Sequence, residues 1–152
     1  DIGPYAIHTI RNCFKENPVQ VYAQSKLNEQ GADVSTTGMI GFGGHKRATF
    51  DISFECTRRS EFEAFGPLGR VKCPTVWQPE DKQAKIIINT ESSGLTEEVV
   101  PAANHFILEI NHFNKIIKSD ISPKLSKEDA LWNVKTLEGI QESVQKDSWV
   151  ML

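Results

Sequence analysis

Between Val19 and Val100 the chain runs through one extended segment after another without a helical stretch among them, and that order constrains the fold more than any other feature. From Lys46 to Cys56, Ala48, Phe50, Ile52, Phe54 and Cys56 alternate strictly with Thr49, Asp51, Ser53 and Glu55. A period of two puts one set of side chains on a buried face and the other on a wet one, the pattern of a half-covered antiparallel sheet. Further strands are expected at Val19–Gln24, Thr36–Phe42, Glu61–Phe65, Arg70–Cys73 and Lys85–Asn89, with a short one at Glu97–Val100. Gly43-Gly44, Gly66-Pro67, Pro74 and Pro79 punctuate the series. Consecutive strands with no crossover helices exclude a doubly wound parallel sheet.

Helical periodicity brackets this region. Tyr5, Ile7, Ile10, Cys13 and Phe14 recur at helical spacing until Asn17-Pro18, where the residue before proline is pushed out of the helical region. After the strands, Phe106, Ile107, Ile110, Phe113, Ile116 and Ile117 form a second apolar stripe. A last helix starts at Ser126, a good N-cap, with Glu128 and Asp129 in its first turn. Leu131, Val134, Leu137, Ile140 and Val144 are its expected buried face. The fold class is therefore α+β: an open, mostly antiparallel sheet of about six strands with helices packed on one face.

Length and charge narrow the function. At 152 residues the chain is read as one domain with a core that needs no metal or disulfide support. A net charge of −3 and a pI near 5.8 favour neither nucleic acid nor an anionic membrane. Cys13, Cys56 and Cys73 are odd in number and lack CxxC spacing, so reduced thiols in a cytoplasmic protein are expected. No stretch is apolar enough to span a bilayer. The missing initiator methionine reads as a piece of something larger.

Gly41-Phe42-Gly43-Gly44 resembles a phosphate-binding loop only in composition. Such a loop must open a helix whose N-terminus meets the phosphate, whereas here a strand follows, so a hairpin turn is expected. His105 and His112 stand seven residues apart and His8 and His45 are isolated, which gives no metal-ligand spacing. Asp1 and Tyr5, four residues apart, share one face of a helical turn and form a candidate acid/base pair. A free phenol titrates near ~10 and needs a neighbouring cation to act as a base at neutral pH. The neighbouring sequence offers none, and taken alone the pair is better read as a favourable helix start and a half-buried tyrosine.

Several segments together resemble one family. Asp1-Ile2-Gly3-Pro4-Tyr5-Ala6-Ile7 is similar to a D-x-G-x-Y-x-I helix, and Asn17-Pro18-Val19-Gln20-Val21 to the entry into a first sheet strand. Ala32–Thr37, the Gly66-Pro67-Leu68-Gly69-Arg70-Val71 turn, Asn104–Phe113 and Leu125–Leu131 follow in matching order. The chain is thereby identified as a member of the Gfo/Idh/MocA group, which takes its name from glucose–fructose oxidoreductase, inositol dehydrogenase and a rhizopine-catabolism protein. The resemblance implies the C-terminal substrate and dimerisation domain, residues 1–152, without the N-terminal Rossmann domain that binds NAD or NADP. It implies Tyr5 as general acid/base, activated by a lysine of that other domain. Asp1 would hold substrate or the lysine, and Trp77 would line the pocket mouth. The implied substrate is a sugar or cyclic polyol, the implied assembly a homodimer or higher homo-oligomer formed through the open sheet face. The isolated chain is expected to be inactive. A non-catalytic binding or dimerisation module of the same fold is the alternative.

Overall fold

A computed structural model describes residues 2–77, 82–118 and 121–152. The α+β class holds, but among the described residues eight strands form two four-stranded antiparallel sheets in place of one sheet of about six. Periodicity marks which residues are extended and which face they share; it does not say which strand neighbours which. The chain divides into two compact units, Asp1–Thr57 with Leu125–Leu152, and Arg58–Lys124.

In the first unit, α1 (Gly3–Phe14) leads into β1 (Gln20–Leu27), β2 (Asp33–Gly41) and β3 (Arg47–Ser53). Pro4 sits in the first turn of α1, where its missing N–H is no loss. Lys15 closes the helix in the left-handed region, its N–H donating to the Arg11 carbonyl at 2.8 Å. The Gly43–His45 segment is a single 3-10 turn between β2 and β3, as its context requires of a connection that opens no α-helix.

Register aligns Ala23 with Gly38 and Gly38 with Phe50, and likewise Val21 with Ile40 and Ile40 with Ala48. Gly38 is a close-approach position: a Cβ there would lie 2.6 Å from Phe50 Cζ and 2.7 Å from the Tyr22 carbonyl oxygen. The core gathers Ile7, Ile10, Val21, Ala23, Ile40, Phe42, Phe50, Ile140 and Val150, with Phe14 against Phe42 at 4.4 Å between ring centroids.

The second unit carries four strands and a helix among its described residues. There β4 (Phe62–Gly66), β5 (Gly69–Cys73), β6 (Ala84–Thr90) and β7 (Gly94–Val100) form a meander, and α2 (His105–Ile117) follows, capped by Asn104, whose side chain accepts from the Ile107 N–H at 3.1 Å. Lys72–Glu61 at 3.0 Å and Lys85–Glu97 at 2.9 Å flank the meander. No described hydrophobic residue of this unit is fully buried, and the expected apolar stripe of α2 is largely exposed.

The chain then returns to the first unit with α3 (Lys127–Lys146) and β8 (Val150–Met151). The Ser126 hydroxyl accepts from the Asp129 N–H at 3.0 Å, the N-cap its sequence predicts. The buried face of α3 differs from expectation. Thr136, Gly139, Ile140 and Ser143 are buried, Leu137 and Val144 are half-buried against the core, and Leu131 and Val134 are exposed. Close approach explains it, since a Cβ at Gly139 would sit 2.4 Å from Leu152 Cδ2 and 3.2 Å from Val21 Cγ2. Small residues let the helix axis come down onto β1, and that rotates the large apolar residues off the contact.

β8 pairs only with Gln20 and Val21 of β1. Two residues further along the same edge, the Ala23 N–H donates to Ser143 Oγ at 3.0 Å, and that hydroxyl donates to the Ser148 carbonyl at 2.7 Å. A helix side chain thus takes over the ladder where the strand stops.

Candidate active site

Tyr5 stands in the first turn of α1 and is 55% exposed. Its neighbours in the helix are polar: Thr9 Oγ1 donates to the Tyr5 carbonyl at 2.8 Å, and Asn12 Nδ2 lies 2.9 Å from His8 Nε2. On the opposite side Ile7 and Ile10 anchor α1 in the core. Asp1, the proposed partner of Tyr5, lies outside the described residues.

α1 is fastened to α3 at two points. Asn133 Nδ2 donates to the Pro4 carbonyl at 3.4 Å, beside Tyr5. Further along, the buried guanidinium of Arg11 donates through Nη1 to the Asp129 carbonyl at 2.8 Å. Its Nη2 lies 3.1 Å from Asp129 Oδ1 and 3.3 Å from Asn17 Oδ1. The second carboxylate oxygen of Asp129 is 3.4 Å from His8 Nδ1. Sequence reasoning assigns Asp129 only to a helix start and leaves Arg11 and His8 without a role. Arg11 and Asp129 are 118 positions apart, and no local pattern announces such a pair.

Trp77 belongs to the second unit and is half-buried, with φ of 51°, a left-handed conformation that costs an aromatic residue roughly 1–3 kcal/mol. Ser60 holds the turn in place. Its hydroxyl donates to the Val76 carbonyl and its own carbonyl accepts from the Val76 N–H at 2.8 Å. The neighbouring residues 78–81 are not described. An open apolar depression at the β4–β5 turn, lined by Phe65, Pro67, Leu68 and Val71, includes neither Tyr5 nor Trp77.

Among the described residues no group of three or more His, Cys, Asp or Glu is placed to hold a metal, and no helix is long and apolar enough to cross a membrane. Gly41–His45 runs into β3 and not into a helix N-terminus, so this glycine-rich stretch does not form a dinucleotide phosphate loop.

The GFO/IDH/MocA C-terminal domain model matches residues 1–72. An oxidoreductase of Rhizobium meliloti is 28% identical over 98% of this chain, which covers 46% of that protein. The D-xylose 1-dehydrogenase [NADP(+)] of Haloarcula marismortui is 25% identical over 100% of the chain and 43% of its own length. The chain spans about half the length of the curated relatives it matches. Two solved structures share the fold. One is the aldose-aldose oxidoreductase of Caulobacter crescentus, complexed with glycerol, with a TM-score of 0.81, 17% identity and coverage of 99% of this chain and 46% of that one. The other is the 3-ketoreductase KijD10 of Actinomadura kijaniata, complexed with NADP and TDP-benzene, at 0.83, 20%, 94% and 46%. The family model, the relatives and the shared fold point the same way as the motifs: residues 1–72, which include the helix that carries Tyr5 and the sheet behind it, match the C-terminal domain of the GFO/IDH/MocA family.

Proposed function

We propose that this chain is the substrate-binding and dimerisation half of an NAD(P)-dependent oxidoreductase acting on a sugar or cyclic polyol, with Tyr5 as its general acid/base. The observation that carries the reading is the placement of Tyr5: an exposed phenol on a helix whose other side is locked into the core and onto α3. The relatives that align over the whole chain support the reaction class, since their names describe an oxidoreductase and NADP-dependent xylose dehydrogenases.

Oxidising a secondary alcohol removes a hydride from carbon and a proton from oxygen. The nicotinamide, held by a separate Rossmann-type half, would accept the hydride. Tyr5 accepts the proton on its phenolic oxygen during oxidation and returns it during reduction. Asp1 would orient the substrate or the activating lysine, and Trp77 would wall the sugar's apolar face. The exposed apolar stripe of α2, with Phe106, Ile110, Phe113 and Ile117 each more than half exposed, supports a protein partner for this half. The Rossmann-type half and a second copy of the chain are the proposed partners, and the isolated chain is proposed to be inactive.

The test is turnover of aldoses, inositols and vicinal diols with NAD or NADP by the intact protein, beside Tyr5→Phe. The expected loss in kcat/KM is about 10²–10⁴-fold, the usual contribution of a positioned acid/base. Undiminished activity in the variant would move the proton chemistry elsewhere. A folded intact protein that binds no dinucleotide would make the chain a non-catalytic module.

A further inference from the structure

The contacts that flank Tyr5 leave its phenol exposed while immobilising the backbone that carries it. Upstream, the Pro4 carbonyl is held by Asn133. Downstream, Asp129 grips α1 with both carboxylate oxygens, Oδ1 on Arg11 at 3.1 Å and Oδ2 facing His8 at 3.4 Å, while its own N–H is fixed by the Ser126 hydroxyl at 3.0 Å. His8 lies three residues after Tyr5, one turn along the same face.

The protons in this cluster can be assigned. Asn12 Nδ2 donates to the His8 carbonyl at 2.9 Å, so the amide nitrogen is the atom that also meets His8 Nε2 at 2.9 Å. An amide nitrogen only donates, so Nε2 accepts and the ring proton sits on Nδ1, facing the Asp129 carboxylate. Both ring nitrogens thus face the cluster, Nε2 at Asn12 and Nδ1 at Asp129, which turns His8 toward the helix and not toward a substrate. Arg11, 5% exposed and with its Nη atoms directed at Asp129 and Asn17, is equally withheld from chemistry. The cluster acts on the helix.

We infer that Asp129, backed by Arg11, is a positioning residue for Tyr5, its carboxylate setting the orientation in which α1 presents the phenol. The inference rests on the role proposed above for Tyr5. Displacing a reacting group by about 1 Å is enough to cost ~10²-fold in rate. Loss of a positioning contact should therefore show in kcat and spare KM.

The experiment is a double-mutant cycle in the intact protein, with Asp129→Asn made alone and on the Tyr5→Phe background and assayed in the steady state with circular dichroism as the folding control. Expected are a fall in kcat of about 10- to 100-fold in Asp129→Asn with KM changed less than about twofold, and no further loss when the substitution is added to Tyr5→Phe. Full kcat in folded Asp129→Asn would overturn the inference. So would an equal loss on both backgrounds, because a purely structural contact weakens the enzyme whether or not the phenol is present. The role of Tyr5 fails separately, and is recognised by Tyr5→Phe retaining wild-type kcat. If Asp129→Asn does not fold, Arg11→Lys, which keeps the charge and loses the forked contact, takes its place in the cycle with the same outcomes.

Discussion

Removing one oxygen atom from Ser143 should destabilise the first unit measurably, and the structure indicates by how much. The side chain is fully buried and its Oγ serves two backbone groups, accepting from the Ala23 N–H and donating to the Ser148 carbonyl. The two losses differ in weight. Ser148 is exposed, so water can replace the hydroxyl at its carbonyl, whereas Ala23 is 0% exposed and β8 ends before reaching it. The cost of Ser143→Ala is then one orphaned buried amide, about 1–3 kcal/mol, offset by roughly 0.5 kcal/mol because alanine is the better helix former. A net loss of about 1–2 kcal/mol corresponds to a urea midpoint lowered by roughly 0.3–2 M, at a slope of ~1–3 kcal/mol per molar. Hydrogen exchange gives the local reading, since the Ala23 amide should lose protection relative to its neighbours in β1. A variant with an unchanged midpoint and a protected Ala23 amide would refute the claim that the hydroxyl completes the sheet edge.

Two further perturbations follow from the same packing. Gly38→Ala drives a Cβ into the Phe50 ring and the Tyr22 carbonyl, and only the ring can yield, so a loss of about 1–3 kcal/mol is expected in urea titration. Phe50→Leu in the same chain should recover part of it, and a Gly38→Ala variant as stable as the parent would contradict the registered contact. The Asp147 carboxyl is held below the usual carboxylate range by hydrogen bonds from Gln24 and then Tyr22. A lowered folded-state value contributes stability above the unfolded value, near ~3.9, and loses it as pH falls through the folded one. Thermal melts from pH 7 to pH 2 should therefore show Asp147→Asn less stable than the parent at neutrality and indistinguishable from it in acid. Asparagine tolerates the left-handed φ of 46° at this position, so a constant gap across the range would assign the effect to something other than the charge.

What was legible in the sequence is what local chemistry encodes. The Ser126 cap, the break at Asn17-Pro18 and the first six strands follow from side-chain spacing and backbone preference, which act over a few residues; β7 (Gly94–Val100), exposed along its length, was legible only from Glu97 on. The two-residue β8 has no periodicity to detect, and the burial of Thr136, Gly139 and Ser143 depends on how near α3 comes to β1, a tertiary distance. At the candidate site the split is the same. Tyr5 stood out because a short motif resembles a family helix, while the Arg11–Asp129 contact joins segments separated by the whole of the second unit and leaves no trace in either. Trp77 could be named as an aromatic after a turn, but its left-handed backbone, fixed by Ser60, could not.

The discontinuous build of the first unit has a consequence for how the protein is made. A ribosome releases β1, β2 and β3 early, with Val21, Ile40 and Phe50 in place on one face, yet α3, which helps cover that face, emerges only after the whole Arg58–Lys124 segment. At ~5–20 residues per second the interval lasts several seconds. During it the nascent sheet shows apolar surface and an unpaired β1 edge to its surroundings, the combination that draws chaperones or drives misassembly. Slowing translation within the Arg58–Lys124 segment should therefore lower soluble yield.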